Sequence, residues 1–255
     1  MSMNGEQRRA YIRRQLHGSA GVSTAELQET LGVSMMTVWR DLGALERDGV
    51  LRRVHGGAVP LEDGAGPEPS FAAKATRAGS AKQRIARAAL AAWVRPGMTL
   101  ALDGGSTVAA LMPFLPTDAG LTLLTNSLEI VRQTPAGVAV ACSGGLYREV
   151  SGTFVGPQAL RFFAEHRADV AFVSATGLDA EDGLMDPNPL EIEVKRALCK
   201  RAAKVVLLID AEKFGRRSTL PVLGLEEVDE VVCDAKPARA LAAALRVAGV
   251  KVRVG

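Results

Sequence analysis

The hydrophobic periodicity of this chain changes once, near residue 58, and the change divides the sequence into two parts. Before it, apolar residues recur every three or four positions, which is the period of one face of an α-helix. After about residue 76, helical patterns alternate with short apolar runs: MTLALD, LTLLT, VAVAC, DVAFVS, KVVLLID, DEVVCD and VKVRV. Continuous apolar strands between helices are typical of a mostly parallel sheet covered on both faces. The sequence therefore predicts an α/β protein with a small helical domain at its N-terminus.

Length and composition agree with two folded domains. The chain has 255 residues, more than the roughly 100–200 of one typical domain, and 47% of them are hydrophobic. Residues 60–70, PLEDGAGPEPS, lack periodicity and are rich in Pro, Gly and acidic residues, as linkers are. We predict a first domain over residues 1–59, a linker over 60–75 and a second domain over 76–255.

Three short helices are predicted in the first domain, with their cores at Ile12 and Leu16, at Leu27 and Leu31, and at Val38, Leu42 and Leu45. Gly32 and Val33 alone separate the second helix from the third, which is the spacing of a helix-turn-helix. VLRRVHGGAV then alternates like a small hairpin, the wing of a winged helix.

The face of the third helix opposite its apolar stripe carries residues suited to a DNA major groove. Arginine reaches guanine edges or phosphates, apolar side chains meet thymine methyl groups, and the first turn of such a helix contacts base edges. Two alternatives stay open: Trp39 packs against the linker or another subunit, and Arg40 pairs with a nearby acid. The candidate DNA-binding residues are Ser34, Met35, Met36, Thr37, Trp39, Arg40, Arg52, Arg53 and His55.

The segment LALDGGSTVAAL reads as a strand, a tight turn and a helix start. Gly104 and Gly105 let the backbone approach an anion, while Ser106, Thr107 and the first N–H groups of the helix supply donors. The turn matches neither GxxxxGK[ST] nor GxGxxG, which argues against a nucleoside triphosphate or a dinucleotide. An ordinary strand-to-helix turn is the alternative reading.

Polar residues also follow several other predicted strands. Because ligands of open α/β sheets bind at the carboxyl ends of the strands, we expect these loops to converge. Ser106, Thr107 and Lys213 would hold a phosphate, and Asp103, Asn126 and Glu191 would bind sugar hydroxyls. For Glu191 and Lys195, a purely structural i,i+4 helix pair is the alternative. The remaining candidate effector-binding residues are Thr125, Gly144, Gly145, Gly177 and Lys195.

The run VSTAELQETLGVSMMTVWRDLGALERDGVLRRVHGGA resembles the N-terminal domain of DeoR-family bacterial transcription regulators. Their pattern T-[IV]-R-R-D-L followed by G-x-L-x-R-x-H-G-G-A is present here, except that Trp39 stands where the family usually has an arginine. The resemblance implies a winged helix-turn-helix that binds a double-stranded operator.

The pieces PGMTLALDGGST, LLTNS, SGG, ADVAFVSATGL and LLIDAEKFG resemble the effector domain of the same family. That domain is similar in fold to ribose-5-phosphate isomerase and generally senses a phosphorylated sugar. The resemblance therefore implies a phosphosugar ligand at residues 103–107, Asn126, Gly144, Gly145 and Lys213.

Two functions remain at this point, a phosphosugar-sensing repressor of carbohydrate genes and a phosphosugar isomerase that carries a DNA-binding module. Isomerisation needs a base within hydrogen-bond reach of the substrate, and the acids of the loop SATGLDAEDG, Asp179, Glu181 and Asp182, are displaced from the cluster of the isomerases. We favour the repressor, with no catalytic residue, cofactor or metal.

The sequence also yields expectations about assembly and location. Because one recognition helix reads few base pairs, we expect a homo-oligomer, a dimer or a tetramer. No apolar stretch approaches the roughly 18 residues of a membrane span, so we expect a cytoplasmic protein without a membrane partner.

Overall fold

The computed structural model describes residues 3–16, 21–47, 50–54, 56–60 and 68–255. The chain divides into two compact units, Met1–Ala73 and Lys74–Gly255, each with a hydrophobic core of its own. Within the described ranges, no helix combines the length and the apolar character that crossing a membrane requires.

The first unit is a small helical domain with a three-stranded sheet in the order β1-β3-β2. Its pairs are antiparallel, and β2 and β3 form the predicted hairpin. Its core contains the apolar positions that set the helical period, together with Leu51 and Ala58. The elements are α1 (Gly5–Leu16), β1 (Val22–Ser23), α2 (Thr24–Leu31), α3 (Met35–Arg47), β2 (Leu51–Val54) and β3 (Gly57–Pro60).

Two positions of this domain require glycine. Gly32 ends α2 in the left-handed conformation, with φ of 62°, and its N–H donates to the carbonyl of Gln28. At Gly57 the strands approach so closely that a Cβ atom would lie 2.1 Å from the carbonyl oxygen of Val22. Only glycine fits there, which explains how the short strand β1 can pair with the wing.

The region predicted as a linker contains ordered structure at both ends. Pro60 is the last residue of β3, residues 61–67 lie outside the described residues, and helix α4 covers Phe71–Thr76. A helix therefore begins at Phe71, where irregular chain up to residue 75 was predicted.

The second unit is built around a seven-stranded sheet in the order β15-β14-β12-β9-β4-β5-β6, with every neighbouring pair parallel. Each predicted apolar run forms one of these strands. They are β4 (Thr99–Leu102), β5 (Thr122–Thr125), β6 (Ala139–Cys142), β9 (Ala168–Val173), β12 (Ala202–Leu208), β14 (Glu230–Cys233) and β15 (Lys251–Val254).

Helices separate the strands and cover the sheet. In β4, Leu100, Ala101 and Leu102 are all buried, although neighbouring residues of a strand face opposite sides. Both faces of the sheet are thus covered at its centre. The helices are α5 (Gly79–Trp93), α6 (Ser106–Ala109), α7 (Leu128–Gln133), α8 (Pro157–Glu165), α9 (Pro189–Lys200) and α10 (Arg239–Val247).

Two small antiparallel sheets were not predicted. One is a hairpin of β7 (Leu146–Arg148) and β8 (Thr153–Val155). The other has the order β10-β11-β13, from β10 (Gly177–Asp179), β11 (Gly183–Asp186) and β13 (Leu220–Leu223). Their strands are three or four residues long, and all but β13 include a polar or charged residue, so they do not appear as continuous apolar runs.

Candidate functional sites

The first turn of α3 presents an open surface. Met36 is 73% exposed and Met35 is 38% exposed, while Val38 on the opposite face is fully buried. Arg40 is also exposed, and the acid beside it, Asp41, pairs with Arg8 on α1. The Arg40 guanidinium is therefore not held by that acid.

Ser34 and Thr37 form the start of the helix. The Ser34 hydroxyl accepts a hydrogen bond from the Thr37 backbone N–H at 3.3 Å and lies 3.0 Å from the Thr37 hydroxyl. Ser34 thus caps the helix, as such residues do at N-termini. Its capping role keeps Thr37 beside the exposed methionines.

The wing carries the other candidates. Arg52 and Arg53 are both exposed strand residues of β2, but Arg53 is engaged with Glu46 on α3, at 2.6 Å from Nε to Oε2. The ring of Trp39 is half-buried with the Arg53 guanidinium over it. His55 lies outside the described residues.

In the second unit, the GGST turn is held by the Asp103 carboxylate at the end of β4. Oδ1 accepts from the Gly105 N–H and Oδ2 from the Ser174 N–H, each at 2.8 Å. A Cβ on Gly105 would lie 1.7 Å from the Ser174 hydroxyl, and one on Gly104 would lie 2.1 Å from a Thr153 methyl group. The two glycines are therefore required by close packing.

The helix that follows the turn is short. α6 has four residues, so it provides one turn of N–H groups and only a weak dipole. The Thr107 hydroxyl is buried and has no hydrogen-bond partner among the described residues. An unpaired buried hydroxyl costs free energy unless a ligand or water meets it.

Lys82 is a site residue that our sequence interpretation missed. It is 4% exposed, and its Nζ donates to the Ser106 hydroxyl at 3.1 Å and to the Lys74 carbonyl. Burial, together with the nearby charge of Lys213, lowers the pKa of Lys82 to about 8. Lys82 shares the buried face of α5 with Ile85 and Ala86, so a lysine in phase with an apolar stripe was the available signal.

Lys213 approaches the same region from the loop after β12. Its Nζ donates to the Ala175 carbonyl at 3.0 Å and lies 3.7 Å from the Asp210 carboxylate. Burial lowers its pKa, against the opposing effect of Asp210. Asp210 also raises the pKa of Lys82, so two ammonium groups share this carboxylate. The charges of Lys213, Arg77 and Lys74 lower the pKa of Lys82, so this ammonium group lies in a positively charged environment.

Lys195 lies at the centre of a buried charged network. Its Nζ is 3.2 Å from Oδ2 of Asp103 and also binds the Asp186 carboxylate and the Ser174 carbonyl. Asp186 in turn accepts from the N–H and the hydroxyl of Thr176, each at 2.8 Å. Lys195 thus joins α9 to the strand ends that carry the turn.

Glu191, one helical turn earlier, has different partners. Oε1 accepts from the Thr153 hydroxyl at 2.8 Å and from the Arg148 guanidinium. The Ser151 hydroxyl bridges these two partners of Glu191, at 3.3 Å from the Arg148 guanidinium and 2.8 Å from the Thr153 hydroxyl. The proposed Glu191–Lys195 helix pair is therefore wrong, because each side chain is bound to residues of other elements.

The other predicted effector residues have mainly structural contacts. The Thr125 hydroxyl donates to the Leu102 carbonyl at 2.9 Å, and the Asn126 amide donates to the Phe154 carbonyl at 3.0 Å. A Cβ on Gly177 would lie 1.9 Å from the Arg216 carbonyl oxygen, so Gly177 serves backbone packing. Gly144 and Gly145 have positive φ and lie against α8 and β8, with no described contact to Asp103.

Comparisons with known proteins cover both units. Residues 8–63 match the DeoR-like helix-turn-helix domain, and residues 77–235 match the DeoR C terminal sensor domain. The chain belongs to the DeoR family. This DeoR-family protein is a DNA-binding transcription regulator, and the family and the two-part fold class predicted from its sequence are confirmed.

Similar regulators cover most of the DeoR-family chain. It is 34% identical over 235 residues to the HTH-type transcriptional regulator GolR of Listeria innocua, covering 91% of this chain and 92% of that protein. It is 32% identical over 218 residues to the glycerol-3-phosphate regulon repressor of Escherichia coli K12, covering 85% of each. It is 33% identical over 219 residues to the L-fucose operon activator of that strain, covering 84% and 88%.

Solved structures resemble the chain more distantly. A ribose-5-phosphate isomerase in complex with phospho-erythronic acid aligns with a TM-score of 0.36 and 17% identity, over 52% of each chain.

Three acids at the turn of the hairpin β10-β11 surround one arginine of this DeoR-family sensor unit. Asp179 accepts from the N–H groups of Glu181 and Asp182 at 2.9 and 3.3 Å, and Arg217 lies within 3.7 Å of all three acids. The hydrogen bond from the Glu181 backbone N–H lowers the pKa of Asp179, and the Arg217 guanidinium lowers it further. These carboxylates therefore form a local turn and a surface ion-pair cluster.

Proposed function

We propose that this regulator represses carbohydrate-metabolism genes and leaves its operator when a phosphorylated sugar binds at the carboxyl edge of the parallel sheet. The observation that carries the proposal is the buried ammonium group of Lys82, whose Nζ donates to the Ser106 hydroxyl at 3.1 Å and whose pKa is lowered by burial and by the nearby charge of Lys213. Burying an ammonium group without a matching carboxylate is unfavourable, so this lysine favours a site that receives an anion.

A phosphate group fits this position. Lys82 supplies a positive charge and Ser106 a hydroxyl. The unpaired Thr107 hydroxyl provides a further donor. A phosphate offers several strong acceptor oxygens, so one group satisfies donors from all of these residues.

The rest of the ligand would lie toward Glu191 and Asn126. The network of Arg148, Ser151, Thr153 and Glu191 contains donors and acceptors near Gly104, as binding of sugar hydroxyls requires. Asp103 has a different role in this proposal: its oxygens are engaged by N–H groups and by Lys195, so it positions the turn.

The names of relatives support the ligand class. One is a repressor of a glycerol-3-phosphate regulon and another is an activator of an L-fucose operon. We therefore propose that this chain controls genes for the use of small carbohydrates and that it represses them.

The alternative of a working isomerase is less well supported. A catalytic base must be available to take a proton from carbon. Asp103 and Asp186 are bound to Lys195, Glu191 is bound to Arg148, and Arg217 lowers the pKa of Asp179. We therefore propose sensing without catalysis, since each candidate base is held by a cation.

The DNA-binding surface in this proposal is the first turn of α3 with Met35, Met36, Thr37 and Arg40, together with the wing. Dimers of such domains bind paired half-sites, so we propose a homo-oligomer, a dimer or a tetramer, that acts on DNA in the cytoplasm. Sedimentation equilibrium of the full-length chain tests the assembly, and a monomer in the presence of bound duplex would contradict it.

The ligand is tested by thermal unfolding of the full-length protein with a panel of sugar phosphates, each paired with its unphosphorylated sugar. Ligand at about 100 times its Kd stabilises the folded state by roughly 2.7 kcal/mol, a measurable shift. We expect one phosphosugar to raise the unfolding temperature and to release a selected DNA duplex, while its free sugar does neither. Detectable isomerase turnover, lost in Glu191→Gln, would overturn the proposal of sensing without catalysis.

A further inference from the structure

Arg53, on the wing strand β2, is bound to the recognition helix α3. Its backbone N–H donates to Oε1 of Glu46 at 2.8 Å and its Nε donates to Oε2 at 2.6 Å. Both oxygens of one carboxylate are thus occupied by one residue. These bonds lower the pKa of Glu46, and the backbone bond has the largest effect.

The guanidinium of Arg53 lies along α3. Its Cζ is 5.8 Å from the centre of the Trp39 ring, and a Cβ on Gly43 would lie 3.5 Å from its Nη1. Trp39, Gly43 and Glu46 are at positions i, i+4 and i+7 and therefore share one face of the helix. Arg53 crosses this face from the carboxylate to the indole ring, with glycine leaving room between them.

Arg52 provides the contrast on the same strand. Neighbouring residues of a strand face opposite sides, so Arg52 cannot share the surface on which Arg53 lies. Arg52 is exposed, and the part of the chain that the structure describes gives it no ion-pair partner. Its guanidinium is free to meet a phosphate, whereas that of Arg53 is committed to Glu46 and Trp39.

We propose that Arg53 is a positioning residue for DNA binding, which fixes the wing against the recognition helix through Glu46 and Trp39, while Arg52 makes the phosphate contact. Arg53 is then a positioning residue and not the phosphate contact that the sequence suggested. The Trp39 ring is the surface against which its guanidinium packs. The inference rests on DNA binding by the winged helix and is independent of the sensor ligand.

The test compares variants of the full-length protein on a fluorescent duplex selected from a random pool by the wild-type chain, and on a nonspecific duplex, at several salt concentrations. Arg53→Ala is expected to weaken binding to the selected duplex about fivefold, which corresponds to about 1 kcal/mol, without changing the salt dependence. The control Arg52→Ala is expected to reduce the salt slope by about 1, as loss of one phosphate contact does.

Glu46→Ala distinguishes a positioning role of Arg53 from a phosphate contact, because the two roles predict opposite changes in DNA affinity. If Glu46 holds Arg53 in place, its removal weakens binding about as much as Arg53→Ala, and the double variant is no weaker than either single one. If Arg53 contacts phosphate, removal of the competing carboxylate strengthens binding.

Arg53→Lys guards against a trivial folding defect, because it keeps the charge but loses the two-pronged geometry. We expect it to bind as weakly as Arg53→Ala, with an unchanged circular dichroism spectrum. Tighter binding by Glu46→Ala, near wild-type binding by Arg53→Lys, or a salt slope lowered by about 1 in Arg53→Ala would each overturn the inference. Failure of the wild-type chain to select any duplex would instead refute DNA binding itself.

Discussion

The Nζ atom of Lys195 lies 3.2 Å from Oδ2 of Asp103, and both side chains are buried. Burial alone would lower the pKa of Lys195, but the carboxylates of Asp186 and Asp103 raise it above its ordinary value. The lysine therefore stays charged and connects α9 to the turn that carries Gly104 and Gly105. This ion pair determines the geometry of the sensor site even though it is shielded from solvent.

Replacement of Lys195 by Met should destabilise the sensor unit by about 3–5 kcal/mol, because two buried carboxylates lose their cation. A raised lysine pKa stabilises the fold at every pH below its unfolded value of about 10.4, and this contribution is lost only as pH rises beyond it. Urea unfolding should therefore show that the free energy of unfolding of Lys195→Met is lower than that of the wild-type chain by the same amount throughout pH 6 to 9. Lys200→Met, at an exposed position of the same helix, is the control, and an equal effect of both changes would contradict the prediction.

Phosphate binding should depend on pH through Lys82. Burial and Lys213 lower its pKa to about 8 in the free protein, and a bound anion favours the protonated form. Binding above pH 8 then requires proton uptake, so the affinity should fall as pH rises, approaching tenfold per pH unit. Calorimetric titration with the sugar phosphate found in the panel, in buffers of different ionisation enthalpy, measures this uptake. In Lys82→Arg, which stays charged, the pH dependence should become weaker, with Lys213 as the remaining lysine of lowered pKa. An affinity independent of pH in the wild-type chain would refute the assignment.

Gly105→Ala should abolish the ligand-induced thermal shift and lower the free energy of unfolding by about 1–3 kcal/mol, because the new methyl group collides with Ser174. Gly79→Ala is the matched control, since a Cβ there meets nothing within 4 Å. Alanine is the better helix former, so this control should be neutral or stabilising. A thermal shift retained in Gly105→Ala would place the ligand elsewhere.

Arg40→Ala should weaken binding to the selected duplex and leave the ligand-induced thermal shift intact, because Arg40 belongs to the exposed face of α3. Lys213→Ala should do the reverse, since it removes a charge from the anion site. Arg161→Ala, an exposed arginine of α8, controls for the loss of charge alone. Fluorescence anisotropy and thermal unfolding measure the two effects, and unchanged DNA affinity in Arg40→Ala would mean that the recognition surface is misassigned.

The centre of the sheet was predictable from the sequence because strands such as β4, β9 and β14 are buried on both faces and therefore appear as uninterrupted apolar runs. The edge strands β6 and β15 are largely exposed and were found from their apolar residues alone. The hairpin that carries Arg148 and Thr153 was not, since its strands are short and amphipathic. For the same reason the partners of Glu191 were missed: they belong to a segment whose position only tertiary packing defines.

Several residues of the proposed anion site could be named from the sequence. Ser106, Thr107 and Lys213 follow strands, and parallel strands bring their carboxyl ends together. Lys82 lies on a helix, where a strand-end argument does not apply, although its position within an apolar stripe marked it as a buried charge. The pairing of Arg53 with Glu46 could not be predicted either, because it depends on how the wing strand meets the helix, whereas the sequence alone shows an arginine on a wing that is suited to a phosphate contact.

Burial and the charge of Lys213 both disfavour the protonated form of Lys82, so an anion bound beside this ammonium group would stabilise the folded sensor unit. A ligand that binds only the folded state adds to its stability, and proteases act mainly on opened chains. We therefore expect the cellular lifetime of the regulator to lengthen when its sugar phosphate is abundant. Pulse-chase labelling with and without the sugar would show whether the supply of effector controls the amount of regulator as well as its affinity for DNA.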